Sequence, residues 1–167
     1  MMKKRLTSLA LSAMMVLSMV PATAFAAKDA GTPPTYNSAT GCYEISTPAQ
    51  LLYLAGKWKD GAPRDGHYVL TADIDMTGVK GFKPIASKKD QGFTGTFDGQ
   101  FHSIKGLRVE YEKKYAGLFG YVGNQDDQAY IKNVALLDCY VTGQQNVGAL
   151  AGVNYGTITD CVVTGEV

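Results

Sequence analysis

The hydrophobic positions between residues 47 and 61 follow the period of a helix. One apolar stripe is formed by Leu51, Leu54, Ala55 and Trp58. Thr47 can serve as the N-cap, Pro48 suits the first helical position, and Gln50 completes a capping box. Gly61 is the predicted end. The pattern predicts one short helix with a single face toward a core.

Beyond this helix, apolar and polar residues alternate with a period of two, and Gly and Asp interrupt the alternation every few residues. Structure is predicted to begin at 43–45. The predicted strands are 68–76, 93–97, 104–109, 116–122, 131–136, 139–142, 147–153 and 158–163. Asp98 and Gly99 form a strong turn signal after the second of these. The pattern therefore indicates a β-rich chain after the helix.

Three internal repeats overlap at different offsets. The pattern Ile-x-x-apolar-x-apolar starts at Ile104, Ile131 and Ile158, with the same spacing both times. The segment 138–143 recurs after a shorter interval at 160–165, and 117–120 resembles 149–152 after a longer one. A β-rich unit in the low twenties with variable loops would give such elastic spacing, as in a solenoid.

A β-sandwich and chance similarity among Gly- and Val-rich strands are the alternatives. A sandwich gives no reason for sequence to repeat at equivalent strand positions. The repeats favour an all-β fold, a right-handed parallel β-helix. The early helix would cover the open first coil, whose backbone groups are otherwise unpaired.

The first residues have the order of an export signal. Lys3, Lys4 and Arg5 precede a mostly apolar run, and Ala24-Phe25-Ala26 forms a small-x-small cleavage site. An uncleaved anchor would need roughly 20 apolar residues, more than this run supplies. The sequence predicts a signal peptide at 1–26, a flexible leader at 27–42 and secretion of the rest.

Charge and cysteine content add limits. Without the three basic residues of the signal, 13 basic residues face 15 acidic ones, so nucleic acid and anionic membrane are not expected partners. Cys42, Cys139 and Cys161 are an odd number, so at least one is unpaired or used between chains. Cys139 and Cys161 are interpreted as small buried hydrophobic residues.

Residues 147–158, Val-Gly-Ala-Leu-Ala-Gly-Val-Asn-Tyr-Gly-Thr-Ile, resemble the GLUG motif of bacterial surface and secreted proteins. That family includes some adhesins and the non-catalytic part of immunoglobulin-A-cleaving metallopeptidases. Upstream pieces continue the resemblance at 45–51, 68–76, 93–100, 116–120 and 131–134. It covers residues 43–167 and implies a scaffold or presentation role without catalytic residues. The chain ends part-way through a further repeat, so we expect a truncated domain that could self-associate at an uncapped last rung.

Catalytic patterns are weak. His67 and His102 do not form a His-Glu-x-x-His motif, no Gly-x-Ser-x-Gly elbow occurs, and His102 is expected to be a loop residue. Asp73 and Asp75 alternate along a strand, about 7 Å apart. They could bind Ca²⁺ or flank a glycosidic bond, but capping of turn amides is the favoured interpretation.

The other polar and aromatic clusters give binding rather than catalytic hypotheses. Asp126 and Asp127 are expected in a solvated turn. Six tyrosines could form a sugar- or protein-binding face or could instead pack in the core. They are Tyr111, Tyr115, Tyr121, Tyr130, Tyr140 and Tyr155.

The sequence thus predicts a non-catalytic extracellular scaffold or adhesion module, either released or associated with the cell wall. It predicts no catalytic residue, no metal and no cofactor. A host protein or glycan is the expected partner through the tyrosine face. The alternatives are a carbohydrate-active β-helix enzyme, in which Asp73 and Asp98 would act, and an accessory domain of a larger exported protease.

Overall fold

The computed structural model describes residues 31–56 and 62–167. The predicted signal peptide, Trp58 and Gly61 lie outside these residues. One helix, α1 (Pro48–Gly56), is present in this part of the chain. The strands are β1 (Thr35–Asn37), β2 (Cys42–Ile45), β3 (His67–Leu70), β4 (Ile74–Asp75), β5 (Thr96–Asp98), β6 (Ser103–Lys105), β7 (Arg108–Ala116), β8 (Phe119–Val122), β9 (Tyr130–Lys132), β10 (Ala135–Val147), β11 (Ala151–Asn154), β12 (Thr157–Thr159) and β13 (Val162–Glu166).

The strands form three sheets whose members come from successive coils of the chain. The first sheet has the order β1-β2-β3-β5-β9-β12, and the second has β13-β10-β6-β4 with β7 beside β10. The third pairs β8 with β11, and single bridges join Ile85 to Phe119 and Phe93 to Val122. Every pairing except β1 with β2 is parallel. The predicted all-β parallel β-helix is confirmed, with about three turns.

Several predicted strands contain a corner and are therefore two strands in different sheets. Residues 68–76 divide into β3 in the first sheet and β4 in the second. In the same way, 131–136 divides into β9 and the start of β10 around Asn133, whose φ is +55°. At the second of these corners the buried positions Ile131, Val134 and Leu136 have one extra residue in the alternation, a shift too small to show in the sequence that the chain changes sheet.

The longest of the three repeat offsets, the one that relates 117–120 to 149–152, corresponds to the pairing of β8 with β11 and of β7 with β10. Phe119 pairs with Ala151, and Val109 pairs with Val141 at the same offset. Ile131 pairs with Ile158 at the predicted spacing, but Ile104 pairs with Leu136 and not with Ile131. The predicted unit in the low twenties is wrong, since even the shortest step between paired coils, from Tyr43 to Tyr68, is longer than that.

The echo between 138–143 and 160–165 has a local cause. Asp138 and Asp160 each have φ of +52°, and each precedes a cysteine, yet Cys139 pairs with Gly165 and not with Cys161. Asp tolerates the left-handed region better than most residues. The two segments are therefore similar in sequence because each contains a left-handed bend before its cysteine, although the two bends are not equivalent positions of neighbouring coils.

Inward-facing residues stack in columns along the coil axis. In the first sheet one column runs Tyr68, Phe97, Ile131 and Ile158, and in the second another runs Ile74, Ile104, Leu136 and Val163. Most members are buried in a single hydrophobic cluster. Neighbouring coils thus bury each other's apolar side chains, which is where a solenoid gains its stability.

Helix α1 begins where the sequence predicts. The Gln50 amide donates to Thr47 Oγ1 at 3.3 Å, which confirms Thr47 as the N-cap. The return bond differs from a standard capping box, because Gln50 Oε1 accepts from the backbone amide of Ser46, at 2.8 Å, rather than of Thr47. Leu51 and Leu54 are buried in the main core, so the helix, which connects β2 to β3 in the chain, packs its apolar face against that core.

Regular structure extends into the segment predicted as a flexible leader. Strand β1 pairs antiparallel with β2, from Thr35 opposite Glu44 to Asn37 opposite Cys42. The polar residues between them form a hairpin turn, in which Asn37 Oδ1 accepts from the Ala39 amide at 3.0 Å. The Gly-, Thr- and Ser-rich composition of 37–41 thus serves a tight turn rather than a linker. Residues 27–30 lie outside the described part of the chain.

Candidate functional site

The paired carboxylates near β4 hold backbone groups. Asp73 Oδ1 accepts from the Ser103 amide at 2.7 Å, across neighbouring coils, and lies 3.4 Å from His102 Nδ1. Asp75 Oδ1 accepts from the Thr77 amide at 2.9 Å. The Ser103 hydrogen bond is the main reason that the pKa of Asp73 lies below its usual value. Both side chains act in the capping role that the sequence favours.

Asp98 joins two coils at a corner. Its Oδ1 accepts from the Gln100 amide and from Asn133 Nδ2, each at 2.9 Å, and Lys132 Nζ lies 3.2 Å from Oδ2. Partial burial pushes the pKa of Asp98 up, but these hydrogen bonds and the lysine outweigh it, so the pKa is lowered. Asp98 therefore links the Asp98-Gly99 turn to the next coil as a carboxylate.

Replacing Asp98 with asparagine is expected to reduce stability at neutral pH and to reduce the protein's sensitivity to acid. Because the folded-state pKa is lowered, the carboxylate's contribution is complete above the ordinary Asp value of about 3.9 and is lost as the pH falls through the lowered value. Thermal unfolding at pH 7 and near pH 3 measures this. The melting-temperature gap between wild type and D98N should narrow at the acidic pH, and an unchanged gap would contradict the assignment.

The histidines do not form a metal or nucleophile site with other described residues. His102 is part of the turn before β6, where its amide donates to the Gly99 carbonyl at 2.8 Å, and it is half-buried as predicted for a loop residue. His67 lies exposed on β3. Across residues 31–56 and 62–167, no group of three or more His, Cys, Asp or Glu is arranged to hold a metal ion.

The three cysteines are free thiols. Cys139 is buried, Cys42 and Cys161 are half-buried, and none is in a disulfide. Burial raises the thiol pKa of both Cys139 and Cys161. A raised pKa keeps a thiol protonated and weakly nucleophilic, which agrees with the interpretation of these two residues as small hydrophobic residues.

The six tyrosines singled out from the sequence do not share one face. Tyr140 lies under the Arg108 guanidinium, 4.1 Å from ring centre to Cζ, and the Tyr111 hydroxyl contacts Ser87 Oγ at 3.2 Å. Tyr130 is 48% exposed on β9. The other three, Tyr115, Tyr121 and Tyr155, come together. The sheets account for part of this separation, since Tyr130, Tyr140 and Tyr121 lie in the first, second and third sheet.

The three tyrosines form a chain of ring contacts. Tyr115 meets Tyr121 edge-on with ring centres 5.5 Å apart, and Tyr121 stacks on Tyr155 at 5.7 Å and 30° between planes. Tyr121 is 5% exposed, whereas Tyr155 is 51% exposed. Tyr121 lies in β8, and Tyr155 follows the neighbouring strand β11 directly. The parallel register of β8 and β11 brings these rings together.

Beside this pair is an open cleft of about 260 Å³. Three parts of the chain contribute, and its polar lining includes Lys89, Asp90, Asn124 and Asp126. Lys89 and Asp90 belong to a single 3-10 turn, Lys89–Gln91, which precedes β5 in the chain. No signal in the sequence marked this turn as part of a site, because 87–92 lacks any apolar period.

The cleft walls are fixed in place by hydrogen bonds to the backbone. Arg64 donates from its guanidinium to the Asp90 carbonyl at 3.3 Å, which anchors the 3-10 turn. On the other side, Asn124 Oδ1 accepts from the amides of Asp126 and Asp127 at 2.8 and 2.6 Å. This is the compact solvated turn predicted for Asp126 and Asp127. The loop is therefore pre-organised.

Electrostatics at the cleft involve the buried tyrosine. Burial raises the pKa of Tyr121, and the hydrogen bond with Tyr155 and the negative charge of Asp90 raise it further. Tyr121 is consequently a neutral phenol at physiological pH. The Asp90 carboxylate accepts no hydrogen bond from any residue in the described ranges. It is thus available to a ligand.

The chain is similar in sequence to two curated proteins. It is 34% identical over 135 residues to "Halomucin" of Haloquadratum walsbyi, and the match covers 75% of this chain and 1% of halomucin. It is 33% identical over 130 residues to a "Putative Gly-rich membrane protein" of Evansella cellulosilytica, covering 72% of this chain and 14% of that protein. The chain thus spans a small part of each relative. No family model matches the sequence.

Among solved structures, the fold is similar to that of a "putative immunoglobulin A1 protease" from Bacteroides ovatus. The TM-score is 0.61 at 22% identity, and the match covers 83% of this chain and 40% of that one. This similarity concerns the fold. Within the described residues, no helix is both long and apolar enough to cross a bilayer.

Proposed function

We propose that the chain is a non-catalytic extracellular scaffold or display module of a bacterial secreted or surface protein, akin to GLUG-motif proteins. The observation that carries this is the use of its polar residues. Asp73, Asp75 and Asp98 each commit a carboxylate oxygen to a backbone amide at a corner of the coil. These residues stabilise a rigid support, while the loops between coils present side chains outward.

The names and lengths of the similar proteins support the proposal. One relative is named a membrane protein and the other a halomucin, and each contains a similar segment as a small part of a longer chain. The fold is shared with part of a chain described as a protease. A module that recurs inside long, differing proteins suits presentation better than a chemistry of its own. Secretion by the predicted signal peptide and self-association at the last rung stay predictions.

A carbohydrate-active enzyme is the second candidate, because Asp73 and Asp98 are acidic side chains at coil corners. Purified protein is to be incubated with neutral and uronate polysaccharides across pH values and with Ca²⁺, and new reducing ends measured. We expect none. If the wild-type protein releases sugar and a folded D73N or D98N variant does not, the protein is an enzyme and the scaffold proposal is wrong.

A further inference from the structure

We propose that the cleft between Tyr155 and Asp90 binds one sugar ring of a neutral polysaccharide. The inference rests on the proposed display function and names the ligand class that the module would carry or attach to. It concerns a site formed by three successive parts of the solenoid: the 3-10 turn Lys89–Gln91, the end of β8 and the turn after β11.

The lining has the two kinds of surface that a pyranose requires. A sugar ring has an apolar C–H face and an edge of hydroxyl groups. Tyr155 offers a half-exposed ring, supported from behind by its stack on Tyr121. An aromatic ring held in this way gives apolar contact at little cost in conformational entropy. This accounts for the face of the sugar.

The edge of the sugar is matched by the acidic side chains. Asp90 and Asp126 both line the cleft, and neither carboxylate accepts a hydrogen bond from a described residue. An ionised carboxylate is an acceptor only, so it suits hydroxyl donors. Charge-assisted hydrogen bonds of this kind are about twice as strong as neutral ones. Lys89 supplies a donor at the same cleft.

Charge and shape argue against other ligand classes. Two carboxylates and one ammonium group disfavour polyanions such as uronate polymers. A quaternary ammonium ion needs ring faces arranged around it, whereas Tyr121 and Tyr155 stack on each other at 5.7 Å. The volume of about 260 Å³ is just under the roughly 300 Å³ at which pockets for drug-sized ligands begin. One sugar ring fits that size, and the open side leaves room for the polymer to continue.

Native gel electrophoresis through gels containing a β-glucan, a xylan, a galactomannan or polygalacturonate tests the inference. We expect retardation by at least one neutral polymer and none by polygalacturonate. Tyr155→Ala should weaken the retardation at least about tenfold, the equivalent of a ring contact near 1.4 kcal/mol. Tyr130→Ala is the matched control, since Tyr130 is exposed to a similar degree but lies outside the cleft. It should bind as wild type.

A second variant separates a loss of binding from a loss of folding. Asp90 is exposed on the 3-10 turn, so Asp90→Ala should leave the melting temperature unchanged and still weaken binding several-fold. No retardation by any neutral polymer, or equal retardation of Tyr155→Ala and wild type, would overturn the inference. Neither result touches the proposed scaffold role, which fails only if the protein cleaves polysaccharide.

Discussion

Phe119→Ala is expected to lower the free energy of unfolding by about 3–5 kcal/mol, the usual cost of emptying a buried aromatic site. Phe119 is fully buried in β8 and touches rings from two places in the preceding coil, Phe93 at 5.1 Å and Phe97, edge-on, at 5.4 Å. Its backbone also bridges Ile85 on one side and Ala151 on the other. Because the strand is paired on both sides, it cannot readily move inward to fill the cavity that the substitution leaves. Urea unfolding followed by circular dichroism measures the loss.

Phe101→Ala is the matched control, because Phe101 is the same residue type in a corner turn but is 82% exposed. Its replacement should change the free energy of unfolding by no more than about 0.5 kcal/mol. Equal losses in the two variants would mean that the interior at Phe119 is not packed as described. A loss confined to Phe119 would support the third sheet as part of one cooperative core.

Gly95→Ala should lower stability by about 3 kcal/mol, at the upper end of the range for overpacking. A Cβ at this position would overlap the carbonyl oxygen of Gly66 in the coil before it. That oxygen already accepts from the Thr96 amide at 3.1 Å, while the Gly95 carbonyl accepts from Tyr130 in the coil after it at 3.0 Å. The obstacle is the backbone of Asp65 and Gly66, so no side-chain rotation relieves it. Thermal unfolding measures the effect.

Gly56→Ala serves as the comparison for a glycine with free space. Outside its own helix backbone, no atom of the described residues lies within 4 Å of a Cβ built there, and the residue belongs to α1, where alanine is the better helix former. The melting temperature of this variant should equal or exceed that of wild type. If Gly95→Ala melted as wild type too, neighbouring coils would have to be further apart at Gly66 than the structure has them.

The solenoid was predictable because its signal is repeated. The match between 117–120 and 149–152 corresponds to real pairing, Phe119 with Ala151. The start of the helix was equally predictable, since Thr47 and Gln50 contact each other within one helical turn. Both features depend on short-range chemistry or on a column of similar side chains, and these leave marks in the sequence.

The corners and the cleft were less predictable. A left-handed bend at Asn133 or Asp160 needs only one tolerant residue and shifts the hydrophobic alternation by one position, which does not show that the chain changes sheet. The repeat at Ile104 failed for the same reason, since it matches a bend at Gly106 within the second sheet and not the bend at Asn133 between sheets. Asp90 and Tyr155 line the same cleft only because the coils stack, and the neighbours of Asp90 in the sequence carry no periodic pattern. Such long-range contacts require the register of every coil between them.

The unequal coils have an evolutionary consequence. The stretch of chain that separates partners in adjacent coils is shorter between Tyr43 and Tyr68 than between Phe97 and Ile131, and the paired strands remain parallel in both places. The two connections also differ in content, since one contains α1 and the other contains β6, β7 and β8, and lengthening a connection carries a small entropic cost. A lineage can therefore insert, delete or exchange residues in one loop while the stacked interior is inherited unchanged. Recognition of new ligands could then be acquired one coil at a time.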